Sequence, residues 1–333
     1  MSTTVLIPPD LLPVLHRYRT AELATVGRSG APIAWPTTPL VAADGSSVLV
    51  GTSIGFPQKA YNVRRDPRVG LLFSDPTGSG SEALPQVLVQ GTARCTEDVV
   101  TSPVGYERYW SRLWEMQPAG KLFDTNPLTR RVMDWYYMRL MGTVTPERVI
   151  SRPALQDPGR LNAPAGPTAE QDAYARTVRR LPEYASAVVS TLDSRGPPSL
   201  VRVRPTVDPE RRVLLLNRRG HTGADISTGG ASSPLSEGPA SLLCHSHDEK
   251  LWNLRSLVCV GRLEPDSAGW VFVPVRFVPG AGTDLLALLQ MVRQNRRSAR
   301  AYLERRHVPR PAVPWDQYRS VKRGHSARSV GAR

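Results

Sequence analysis

At 333 residues the chain is longer than one ordinary domain, and at about 150 residues per domain it should hold about two. A hydrophobic share of 40% and a charged share of 22% exclude a wholly disordered chain. The net charge of +14 suggests nucleic acid or an anionic surface, but residues 293–333 carry +10 of it, so the preceding 292 residues hold only +4 and offer no nucleic-acid face.

In chain order, Asp10 is the N-cap candidate for a helix over 11–18. Apolar strands follow at 21–26, 32–41 and 47–52, separated by turns at Ser29-Gly30 and Asp44-Gly45. Pro57 and Asp66-Pro67 bound a short helix. Strands at 68–74 and 86–93 come next, then helices around 106–115 and 128–134 and a strand over 135–145 before Pro146. Residues 151–167 are rich in Pro, Gly and Ala and read as a linker.

Thr168 with Gln171 then makes a capping-box signature for a helix to about Arg180. Strands at 187–192, 198–207, 212–217, 239–245, 257–263 and 270–278 are followed by a helix over 284–306. Pro309, Pro311 and Pro314 stop that helix, and the basic tail beyond is expected to be irregular.

The two halves repeat. Residues 18–49 set against 184–215 share eight identities in 32 positions, where chance gives about two. The identities are Tyr18, Ala21, Thr25, Gly30, Pro32, Pro39, Val41 and Leu49. Each half predicts six short antiparallel strands with a helix or two, and each fifth strand carries one glycine, Gly91 or Gly261. The expected fold class is mainly β with helices, a small barrel formed twice.

The longest apolar-rich stretch, 285–292, is far below the roughly 20 residues that span a bilayer. The N-terminus shows no secretory signal. Cys95, Cys244 and Cys259 are too few and too scattered for a disulfide framework or a structural zinc site, which suits a reducing cytoplasm.

The chemistry-bearing region runs from the third strand into the short helix. Thr52 and Ser53 end the strand, and Lys59 sits in the first turn of a helix whose free N–H groups favour an anion. Together they read as a phosphate clamp. Ala34-Trp35-Pro36-Thr37, then Thr52-Ser53, then Lys59, Asn62 and Asp66-Pro67-Arg68-Val69 resemble the pyridoxamine 5′-phosphate-oxidase-like FMN and deazaflavin split barrels, across about residues 10–150.

That resemblance implies two tandem six-stranded antiparallel split β-barrels. Residues 1–150 form the flavin-binding one, 168–306 a second, degenerate one with a C-terminal helix, and 307–333 a basic tail. It also implies FMN, or alternatively a deazaflavin coenzyme, between two barrels, with Lys59 on the phosphate. Trp35, Pro36, Thr37, Thr52, Ser53 and Asn62 then complete the cofactor site.

The second half lacks the Lys-x-x-Asn run. Arg218-Arg219-Gly220-His221 and a Gly/Ser-rich stretch over 222–239 stand in its place, so one cofactor per chain is expected, in an intramolecular pseudo-dimer or a homodimer. The function implied is a flavin-dependent oxidoreductase acting on a small organic substrate. The alternative is a non-catalytic flavin-binding or haem-handling split barrel. No catalytic acid or base stands out.

His245 and His247 share one face of a strand, but no third ligand is evident in the sequence, and no metal is expected. Tyr106, Tyr109, Trp110 and Trp114 fit one helical stripe and read as packing. Cys259 reads as buried core.

Overall fold

The computed structural model describes residues 5–81, 83–155, 159–163, 172–193, 196–217, 234–267, 269–280 and 285–330. Strands β1 (Ala21–Val26), β2 (Pro32–Thr37), β3 (Pro39–Val41), β4 (Val48–Ser53), β5 (Arg68–Phe73), β6 (Gln86–Cys95) and β7 (Arg139–Arg152) form one sheet in the order β2-β1-β5-β6-β7-β4-β3. Strands β8 (Ala187–Leu192), β9 (Pro198–Val203), β10 (Thr206–Asp208), β11 (Val213–Asn217), β12 (Gly238–Ser246), β13 (Arg255–Asp266) and β14 (Gly269–Pro279) form the second, ordered β10-β11-β14-β13-β12-β8-β9. With β1 matched to β8 and so on, the two orders are the same, read in opposite directions.

Each sheet has seven strands rather than six because the second predicted strand breaks in both halves. The first break falls at Thr38, just before Pro39, and the second at Arg204-Pro205. A proline cannot donate to a ladder. The two pieces then lie on opposite edges of their sheet, so the sheet must curl until its edges approach, which makes a split barrel.

Gly91 and Gly261 mark equivalent bulges, where the register shifts between Gln90 and Gly91 and between Val260 and Gly261. A Cβ at Gly91 would run into the Thr145 carbonyl oxygen, and one at Gly261 into that of Val273, both well inside 3.0 Å, so only glycine fits.

Several boundaries differ from expectation. Helix α1 (Leu12–Arg17) starts after Leu11 without a side-chain cap, so Asp10 does not cap it. Trp135–Tyr137 belong to helix α4 (Pro127–Tyr137), capped by Asn126 and Thr129, and not to the last strand of the first half. That strand runs on through Pro146 to Arg152. Helix α5 (Ala173–Arg180) is capped by the Asp172 carboxylate, which accepts from the Ala175 N–H; Thr168 and Gln171 lie outside the described residues.

Each barrel has its own apolar interior. Leu23, Val48, Val69, Leu71, Val89 and Val144 fill the first; Val189, Val201, Leu214, Leu242, Leu257 and Cys259 fill the second. A further cluster joins them: Ala24, Ala34, Leu72 and Leu88 of the first half pack against Val188, Leu200, Leu243 and Val258 of the second. The barrels are thus a pseudo-dimer within one chain.

The C-terminal segment departs most from expectation. Helix α6 (Leu285–Arg305) packs on α4 of the first half rather than remaining an appendage of the second. The tail is not irregular: it forms α7 (Trp315–Val330), which packs on α3 (Glu107–Met116). Tyr302, Leu303, Val313 and Tyr318 enter one cluster with Trp110, Trp114 and Tyr137. The prolines end α6 and turn the chain, and Trp315, Tyr318 and Val321, three residues apart, then give the next helix an apolar edge. Lys322 also pairs with Asp124, and Arg310 with Asp134 at 2.6 Å. Among the described residues no helix is long and apolar enough to cross a membrane.

Candidate anion and cofactor site

The predicted clamp is built where β4 turns into α2 (Gln58–Arg65). Two hydroxyls shape the turn. Thr52 Oγ1 donates to the Phe56 carbonyl oxygen at 2.9 Å. Ser53 Oγ donates to the Trp135 carbonyl oxygen at 2.6 Å and accepts from the Gly55 N–H at 3.0 Å. Asn62 is fully buried and ties α2 to the barrel. Its Nδ2 donates to Thr25 Oγ1 at 2.9 Å, and its Oδ1 accepts from Gln58 Nε2 and Arg65 Nη2.

Lys59 turns inward. Its ammonium donates to the Pro36 carbonyl oxygen at 3.3 Å. Lys59, Thr37, Thr52 and Gly51 line one cavity of about 20 Å³ inside the first barrel, with Cys95 and Leu140. Of the expected residues, the fold therefore brings Pro36, Thr37, Thr52 and Lys59 together. Ser53 and Asn62 spend their polar atoms on holding the turn and the helix. Trp35 packs against the cluster between the barrels, where its buried Nε1 has no hydrogen-bond partner.

Arg139, at the start of β7, is a group the sequence reading missed. It is buried, its guanidinium lies 4.3 Å over the Tyr136 ring and 5.2 Å over Trp110, and its Nε has no hydrogen-bond partner. A lone arginine in the apolar run Met138-Arg139-Leu140-Met141 was the available signal. Burial of the Lys59 ammonium, and then the charge of Arg139, draw the lysine pKa down to about 8. The Lys59 residue keeps part of its surface while its charged end is enclosed. Neither cation pairs with a carboxylate among the described residues.

The predicted stripe on α3 is buried at Tyr109, Trp110 and Trp114. Trp110 stacks on Tyr137 with ring centroids 5.3 Å apart and meets Tyr318 edge-on at 4.9 Å. Tyr109 also walls the clamp, since a Cβ at Gly51 would run into its hydroxyl oxygen. Arg218, Arg219 and His221, where a second clamp should stand, lie outside the described residues, as does the Gly/Ser-rich stretch as far as residue 233.

The pyridoxamine 5′-phosphate oxidase family profile matches residues 7–147. The match covers the first barrel, which is similar to this family. No curated protein is similar enough in sequence to count as a relative. Among solved structures, a conserved hypothetical protein from Mycobacterium tuberculosis is similar at 26% identity, over 45% of this chain and 87% of that one, with a TM-score of 0.32. A protein of unknown function from Agrobacterium tumefaciens is similar at 23% identity, over 45% and 60%, with a TM-score of 0.31. The haem storage protein HutZ from Vibrio cholerae is similar at 15% identity, over 45% and 98%, with a TM-score of 0.30. Scores this low add no weight beyond the family match. Lys59 lines the small, mostly apolar cavity of the first barrel, and Arg139, outside its lining, is close enough for its charge to act on the lysine.

Proposed function

We propose that the first barrel binds the phosphate end of a flavin-type cofactor, FMN or a deazaflavin coenzyme, and that the chain is an oxidoreductase for a small organic substrate. One observation supports this most: the Lys59 ammonium is enclosed within reach of the Arg139 charge, and neither cation pairs with a carboxylate among the described residues. Uncompensated buried cations are costly, and an anion beside Lys59 would repay part of the cost. Lys59 would hold the phosphate, with Thr37 at its side and the Arg139 charge nearby.

Lys59 suits a phosphate in charge, but the cavity as it stands holds little more than a water molecule. The enclosed space is about 20 Å³, whereas small-molecule sites measure about 300 Å³ or more. The ring would therefore lie outside this cavity. Such a cofactor supplies two-electron transfer when bound. The chain's own part is to hold the anion and order the turn through Ser53 and Asn62.

The small cavity favours a second reading, a non-catalytic barrel that binds an anion alone. The absorbance spectrum of the purified full chain separates the two, together with titrations of FMN and of inorganic phosphate. A flavin spectrum, with FMN affinity that drops in Lys59→Ala, supports the oxidoreductase. Phosphate binding that depends on Lys59, with no flavin taken up, supports the anion barrel. Binding of neither would remove both.

A further inference from the structure

His245, near the end of β12, and His247, just beyond it, meet Asp75 of the loop after β5 across the seam between the barrels. Asp75 Oδ2 is 3.8 Å from His245 Nδ1 and 3.6 Å from His247 Nε2. The three ligand-type atoms lie within 4.8 Å of one another, and all three residues are buried. The third partner that the sequence did not reveal comes from the other half of the chain.

The outer hydrogen bonds set both tautomers. His245 Nε2 is 2.7 Å from Glu22 Oε1, a contact that needs the proton on the nitrogen. Arg202 Nη2 donates to the same oxygen at 2.6 Å and stands 3.1 Å from that nitrogen. In the neutral ring His245 Nδ1 then carries the lone pair, and this buried atom has no hydrogen-bond partner. His247 Nδ1 donates to the Asp248 carbonyl oxygen at 2.9 Å, leaving Nε2 as an acceptor, to which the Thr20 hydroxyl donates at 3.0 Å.

An unpartnered imidazole lone pair, a second one met only by a hydroxyl, and a carboxylate oxygen therefore converge, a donor set that a cation between them would satisfy. Ring N–H groups given to a carboxylate and to a backbone carbonyl are the outer bonds that metal-binding histidines make. Glu22 is neutralised by Arg202. Asp75 accepts the Thr77 N–H on Oδ1, but no Arg or Lys nitrogen among the described residues pairs with it.

We propose that Asp75, His245 and His247 bind one divalent transition-metal ion of the zinc class, which clasps the two barrels together. Two nitrogens and one carboxylate oxygen suit zinc or cobalt rather than magnesium or calcium. Tetrahedral bonds of about 2.0–2.2 Å set ligand atoms about 3.4 Å apart, so the two carboxylate–imidazole distances would close by a few tenths of an ångström. A fourth position remains, on the flank of the Thr20 hydroxyl. This site is separate from the anion reading and stands or falls without it.

The test uses the full chain stripped with a chelator and titrated with Co²⁺ alone. One cobalt per chain is expected, with the visible bands of a four-coordinate site, displaced by Zn²⁺. Asp75→Asn and His247→Gln should each weaken cobalt binding at least about tenfold while the circular dichroism stays native. His245 is left intact because it also orders Glu22. A second readout needs no variant: X-ray absorption of the zinc-loaded wild type should show two imidazole rings on the metal. Absence of stoichiometric cobalt binding by the folded stripped chain overturns the proposal. So does unchanged affinity in both variants, or a zinc shell without imidazole.

Discussion

Glu22 of β1 and Arg202 of β9 form an ion pair at 2.6 Å, 180 positions apart in sequence and buried at the seam between the barrels. Ser74 Oγ donates to the other Glu22 oxygen at 2.9 Å, and Ser186 Oγ accepts from Arg202 Nη1 at 2.7 Å. Burial opposes the Glu22 charge, but Arg202 and then His245 overcome it and hold its carboxyl below the ordinary range.

Breaking this pair strands a charge in the interface. Arg202→Met should cost about 3–5 kcal/mol, read as a drop in the urea midpoint. Glu22→Leu with Arg202→Met should recover part of that loss, because an apolar pair leaves no orphan charge. If the two single losses simply add, the residues do not act as a unit.

Gly70 of β5 lies under β9. A Cβ there would run into the Pro198 carbonyl oxygen, and a backbone atom cannot swing aside. Gly70→Ala should therefore destabilise the chain by about 1–3 kcal/mol and loosen the two barrels. Hydrogen exchange should show faster amides in β5 and β9. A native melting temperature would mean that the seam yields freely.

Tyr318 anchors α7. It is fully buried, and its hydroxyl donates to the Thr101 carbonyl oxygen at 2.8 Å. Tyr318→Ala should cost about 3–5 kcal/mol. Truncation after His307 should lower the melting temperature and raise tryptophan exposure, since Trp110 and Trp114 lose a ring partner. A truncated chain that melts like the full one would show that the tail only solvates.

The Lys59 pKa of about 8 makes anion binding depend on pH. The ammonium form holds the anion, so phosphate affinity should fall as pH rises through about 8, and Lys59→Ala should abolish that fall. For stability the sign is opposite. An unfolded lysine titrates near 10.4, so between about 8 and about 10.4 the unfolded chain binds more protons and the anion-free fold gains stability as pH rises. Isothermal titrations at pH 7 and pH 9.5 check the first effect; equal affinities would remove Lys59 from the site.

Local pattern sufficed for much of this protein. The repeat of 18–49 in 184–215 announced two like barrels, and alternation with Gly, Pro and Asp turns placed nearly every strand within a few residues. The run from Lys59 to Asp66-Pro67 carried the resemblance of the first barrel because its spacing lies within one turn and one helix. Strand ends misread at Trp135–Tyr137 were a local contest, won by the Asn126 cap and by burial of the aromatic rings.

Tertiary structure alone decided the rest. Lys59 reads as a surface clamp until the barrel wall encloses it and brings its ammonium near the charge of Arg139. Asp75 and the histidines 170 and 172 positions later carry no shared period, so only the packing of one barrel on the other brings them together. The tail looked irregular because its prolines and arginines were visible in sequence, whereas the partners of Tyr318, some two hundred positions upstream, were not. Periodicity records which face of an element is apolar. It carries no information about the distant surface that the face will meet.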